Sequence, residues 1–122
     1  MIKIFISCPM NGLADEQIKR NIAKAKTICE KIANAGLGEH QYIDSFTEDK
    51  TLLPFGKHIA VAYLSASIEL LSNADLVVFV PGWEKASGCK IEHQIAKEYC
   101  IPIFEIPSFM WEAATGEPTY TL

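Results

Sequence analysis

Apolar and polar positions alternate from Ile2 to Ser7, with isoleucine at positions 2, 4 and 6, a pattern that predicts a β-strand. After the turn "CPMNGLAD" the period changes. Ile18, Ile22, Ala25, Cys29 and Ile32 recur at three- and four-residue spacing, which predicts an amphipathic helix with Asp15 as its N-cap and Gly36 as its stop. Its charged residues, among them Lys19, Arg20, Lys24 and Glu30, fall on the other face and read as a solvated surface. A short strand is expected near Gln41 to Ser45, followed by the polar, proline-broken stretch "FTEDKTLLPFGKH", of the kind that often lies over a site. A second helix is expected from about His58 to Leu71.

The run "LVVFV", Leu76 to Val80, is continuously apolar between Asp75 and Pro81, as a strand buried on both faces would be. A helix from about Gly88 to Tyr99 and a last strand in "IPIFEI" follow. The tail from Pro107 is mixed, with Trp111 and Tyr120 interrupted by Gly116 and Pro118. Alternating strands and helices imply a parallel sheet with right-handed crossovers and helices on both faces. The expected fold is α/β: a small flavodoxin-like or Rossmann-like three-layer sandwich whose parallel sheet has four to five strands. All 122 residues are read as one domain.

Composition adds limits. Hydrophobic residues are 49% and charged residues 21% of the chain, as in a soluble globular protein, and no apolar stretch approaches bilayer length. The amino-terminal segment lacks the basic and long apolar regions of a secretion signal, so a cytosolic protein is expected. A net charge of −4 with dispersed lysines and arginines gives no reason to expect a nucleic-acid or membrane surface. The four cysteines form no CxxC and have no histidine at ligand spacing, which argues against structural zinc and for reduced thiols. Cys29 lies on the apolar helical face and reads as core, while Cys8 and Cys89 fall in glycine-bearing turns and are candidates to line a cleft.

In an open parallel sheet a ligand sits beyond the carboxyl ends of the strands, where strand order reverses. The two turns in that position, "SCPMNG" and "PGWEKASG", are expected to face each other, each leading into a helix whose first N–H groups favour an anion. No GxGxxG, P-loop or GxSxG pattern is present. His58 and His93 are isolated. Glu92 falls in what the pattern makes the first turn of a helix, where the amino-terminal partial charge would keep it ionised and facing the crevice. Acids are also common there merely as charge complements.

The segment "NADLVVFVPGWEKASGCKIEHQIAKEY", together with "IKIFISCPMNG", resembles the nucleoside 2-deoxyribosyltransferase-like superfamily, and is closest to a small phage and bacterial branch of it. The resemblance spans roughly Ile2 to Ile106 and is most specific from Asn73 to Tyr99. It implies that Glu92 is a nucleophile attacking the anomeric carbon of a nucleoside or nucleoside 5′-monophosphate. The base leaves, and water or a second base resolves the glycosyl-enzyme. It further implies that Ser7, Cys8, Met10, Asn11, Gly12, Ser87 and Gly88 shape the pocket, that no metal or organic cofactor takes part, and that the chain forms a homodimer or larger homo-oligomer. Trp83 is a candidate to stack on the base, with Met10 and Tyr63 as possible neighbours. Three positions depart from the superfamily's enzymes. Ser67 and Ala86 stand where those enzymes carry acids, and "CPMNG" offers Asn11 in place of an arginine. Glu84, Glu69 and His93 are the candidate substitutes for a missing acid. The departures keep open a second reading, a nucleotide-binding module of the same fold without turnover.

Overall fold

Two periodicities fix the architecture: strands whose alternate residues go to opposite helix layers, and helices with one apolar stripe each. The computed structural model describes residues 1–10, 12–33, 36, 38–44 and 57–114. The elements are β1 (Ile2–Ser7), α1 (Asp15–Ile32), β2 (His40–Ile43), α2 (Ile59–Leu71), β3 (Leu76–Phe79), α3 (Ser87–Glu98), β4 (Ile103–Glu105) and α4 (Ser108–Ala114). The four strands form one all-parallel sheet in the order β2-β1-β3-β4. This is the expected small flavodoxin-like α/β sandwich.

The layers follow from strand parity. Ile4, Ile6, Val78 and Val80 pack with Ala25, Ile28 and Cys29 of α1, and Met110 and Trp111 of α4 join that cluster. Phe5, Val77 and Phe79 point the other way, onto Leu71 of α2 and Ala96 of α3. Val77, Val78 and Phe79 are fully buried, which is why "LVVFV" carries no polar position. Asp75 ties the entry of β3 to β1 by a reciprocal pair: the Lys3 N–H donates to its carboxylate at 2.8 Å, and its own N–H donates to the Lys3 carbonyl at 2.7 Å.

Some expectations need correction. Asp15 is the first helical residue of α1, not its cap; Ala14 holds the cap position and no side chain bonds there. The mixed tail contains α4, whose Trp111 lies under the Lys24 ammonium at 4.3 Å. Cys89 lies within α3 rather than in a turn, and both it and Cys8 are buried. Most of "FTEDKTLLPFGKH", residues 46–56, lies outside the described residues. Among the described residues no helix is long and apolar enough to cross a membrane.

The turn after β3 needs glycine. Trp83 donates its N–H to the Val80 carbonyl at 3.2 Å, with Pro81 and Gly82 between them, and Gly82 has φ +98°. This is a type II turn, with proline at the second position and a left-handed residue at the third. Nothing lies within 4 Å of where a Gly82 side chain would begin, so the cost of adding one is conformational. Gly82→Ala should therefore destabilise by about 1–2 kcal/mol in urea unfolding.

A polar cluster clasps β2 to α1. His40 Nδ1 faces the Gly38 carbonyl at 3.0 Å and its Nε2 faces the Glu30 carboxylate at 2.6 Å, while the Tyr42 hydroxyl donates to the same carboxylate. Both ring nitrogens meet acceptors only, so the imidazolium fits best. The bond to Glu30, then that to Gly38, raises His40 above its usual 6.5. The bonds from His40 and then Tyr42 lower Glu30 below 4.5. The His40 contribution is present below 6.5 and fades as pH rises through the raised value. The Glu30 contribution is lost only as pH falls below 4.5. The thermal midpoint should lose this His40 contribution as pH rises above 6.5, and His40→Gln should remove that part of the slope.

Candidate active site

Strand order places β1 and β3 side by side at the centre of the sheet, while α1 leaves β1 on one face and α3 leaves β3 on the other. The crevice at their carboxyl ends is the switch point of such a sheet. Ser7, the last residue of β1, has the parity of Phe5 and points toward α2 and α3. Its hydroxyl donates to Glu92 Oε1 at 2.7 Å, and Ser67 of α2 donates to Glu92 Oε2 at 2.5 Å. Three elements thus converge on one carboxylate. Ser7 is 2% and Glu92 6% exposed.

Glu92 differs from expectation in one respect that matters. Helix α3 begins at Ser87, so Glu92 is its sixth residue, a turn deeper than the amino-terminal amides, and its first turn holds no acid. The helix end therefore does not keep it ionised. Burial instead raises its pKa above 4.5, and the hydrogen bonds from Ser67 and then Ser7 oppose that rise. Two hydroxyl donors and no cation hold this carboxylate among the described residues, an arrangement that leaves it short of full charge compensation. Such a group is poised to be protonated, or to give its electrons to a developing positive charge.

Ser67 is the residue that sequence reasoning missed, having weighed it only as the absence of an acid. Its signal was positional: it lies three residues after Leu64 and four before Leu71 on the inward stripe of α2, where a hydroxyl needs a partner. Leu64 in turn faces Gly88, at 3.8 Å from where a side chain there would begin.

The remaining predicted residues separate. Cys8 is buried in the α1 layer, its thiol donating to the Pro9 carbonyl at 3.7 Å. Burial first, and then nearby Cys89, push the Cys8 thiol up to about 12. Burial likewise pushes Cys89 up to about 11, against a bond to the Ser7 side chain that lowers it. Neither is a thiolate nucleophile at neutral pH. Met10 and Gly88 are half-buried, while Gly12 and Ser87 are exposed. Asn11 lies outside the described residues. Of the two helix starts, that of α1 already carries Asp15 and Glu16, so the anion-favouring end expected there is offset; the α3 start, uncapped by a side chain, has no such acid.

Trp83 belongs to a neighbouring cluster. Its indole stacks on His93, with ring centroids 3.9 Å apart and planes 9° from parallel, and both rings rest on Phe79. His93 donates from Nε2 to Glu105 at 2.8 Å. The isolated histidine of the sequence thus has three partners, and it is turned toward the end of β4. Glu84 and Glu69 are exposed, and neither bonds to Glu92.

A family model described as a domain of unknown function (DUF4406) matches residues 2–105, a span that holds all four strands and helices α1 to α3. No curated protein matches the chain.

Proposed function

The chain belongs to the DUF4406 family, and from its central carboxylate we propose that it cleaves or exchanges the N-glycosidic bond of a nucleoside or nucleoside 5′-monophosphate, with Glu92 as nucleophile. The observation that carries this reading is the buried Glu92 carboxylate held by Ser7 and Ser67 at the switch point. A carboxylate oxygen attacks the anomeric carbon, the carbon–nitrogen bond breaks, and the base leaves with the bonding pair and takes a proton from water. Water or a second base then displaces the carboxylate. An incompletely compensated carboxylate suits the step, because the oxocarbenium-like transition state supplies the missing positive charge. The hydroxyls of Ser7 and Ser67 fix its rotamer. The likeness to the nucleoside 2-deoxyribosyltransferase-like superfamily in "PGWEKASGCKIEH" supports the same assignment.

Ser87 and Gly88, at the uncapped start of α3, are the proposed contacts for a 5′ substituent, and Ser7 to Gly12 the opposing wall. The same reading includes a homo-oligomer. Helix α2 carries a single charge, Glu69, and leaves Ile59, Val61, Tyr63 and Leu70 exposed, an apolar face that a second copy would cover. Sedimentation at several concentrations tests it.

Base release from a panel of nucleosides and 5′-monophosphates, followed by chromatography with and without an acceptor base, tests the function. Wild type should free or exchange a base, and Glu92→Ala should not. One observation favours the second reading, a binding module without turnover: both oxygens of Glu92 already accept hydrogen bonds. Saturable nucleotide binding with no product from wild type would establish that reading instead.

A further inference from the structure

A groove of about 370 Å³ opens between the carboxyl ends of β3 and β4, one strand over from the β1 end that holds Ser7, and is lined by Trp83, Glu84, Glu105, Ile106 and Ser108 among others. This is within the size range of small-molecule sites. Among the described residues no lysine or arginine lines it. Its walls combine one aromatic plane with two acceptor-only carboxylates and a hydroxyl.

Those walls are held in place. His93 stacks on Trp83 at 3.9 Å and donates to one oxygen of Glu105 at 2.8 Å, so a single imidazole fixes both the ring and the acid. The second Glu105 oxygen remains as an acceptor, and the Glu105 side chain is 51% exposed. An anionic group is repelled from this groove, whereas a ring with amino hydrogens meets complementary partners. Glu92 and His93 are consecutive in α3, one directed to β1 and the other to β4, so the two sites flank the same helix.

We propose that this groove binds the base, and that it selects a heteroaromatic ring carrying an exocyclic amino group over its keto counterpart. The assignment rests on Glu92 acting at the sugar. Glu105 and Glu84 accept hydrogen bonds from the amino group, Trp83 supplies the apolar plane, and His93 positions Trp83 and Glu105 without touching the ligand.

Fluorescence can report on this groove directly, because the chain has two tryptophans and Trp111→Phe leaves Trp83 as the sole emitter. Adenine and cytosine are titrated against hypoxanthine and uracil, in a Glu92→Gln background so that no turnover intervenes. The amino-bearing rings should change Trp83 emission saturably and bind about tenfold more tightly than the keto rings. Glu105→Gln, which exchanges one acceptor for a donor, should narrow or invert that preference while the circular dichroism is unchanged. Equal affinities, no change in Trp83 emission at millimolar base, or a preference untouched by Glu105→Gln would overturn the proposal. Base release by wild type without any amino preference in the groove refutes the groove alone. Selective groove binding with no base release by wild type refutes the Glu92 reading alone.

Discussion

Glu92→Gln is expected to abolish base release and at the same time to raise the thermal midpoint at neutral and alkaline pH. Loss of the attacking oxygen should cost about a thousandfold or more in turnover, as removal of a nucleophile generally does. The stability gain follows from the direction of the Glu92 shift. Burial raises its pKa in the folded protein, so the neutral acid is the better-tolerated form. The associated stability is fully present below 4.5 and is lost as pH rises through the raised value. Glutamine keeps the shape without the charge, and the hydroxyls of Ser7 and Ser67 can rotate, one to donate and the other to accept. The variant should exceed wild type by about 3 °C or more near pH 8, and the gap should close near pH 4. A variant that melts below wild type at pH 8 would show the ionised carboxylate to be a stabilising group. Ser67→Ala removes the larger of the two opposing hydrogen bonds, so it should move the acid limb of the rate profile to higher pH.

Phe79→Ala should be the most destabilising single core substitution. The side chain is fully buried in the middle of the sheet, and deleting such a ring costs about 3–5 kcal/mol. That is a large part of the roughly 5–15 kcal/mol available to a domain of this size. Phe79 is also the support beneath two stacked rings, with its centroid 4.8 Å from His93 and 5.5 Å from Trp83. Urea unfolding should therefore show the loss together with a shift of tryptophan emission in the native baseline. A cost below about 1 kcal/mol would mean that the helices close over the gap.

The layered sheet was legible because strands buried on both faces leave an unmistakable record: Leu76 to Val80 contains no polar residue, and β1 alternates only until it enters the core. Helices α1 and α3 were legible for the same reason, each with one apolar stripe. Helix α4 was not, because seven residues with Phe109, Met110 and Trp111 in a row show no period. Glu92 was singled out by place and likeness, but its electrostatics were misjudged. The expected helix start at Gly88 was within one residue of the observed Ser87 and already placed Glu92 past the dipole's reach, and burial, which no local pattern records, reversed the direction of the expected shift. Ser67 could not be recognised as a partner from sequence alone, since its bond to Glu92 joins two helices 25 residues apart. Trp83 was placed at the correct strand end, but its stacking with His93 depends on how α3 packs over β3.

The central position of β1 has a consequence for how this chain is made. Its hydrogen bonds to the β3 side join residues 72 positions apart, as in the Lys3–Asp75 pair, and its other edge waits for β2. A ribosome adds about 5–20 residues each second, so several seconds pass between the emergence of β1 and that of the strand that completes its pairing. During that interval an apolar strand with at least one open edge exists in the cell, and long-range parallel pairing is among the slower contacts to form. The segment Ile2 to Ser7 is thus the place where a nascent chain of this protein is most exposed to chaperones and to pairing with its neighbours on the same message.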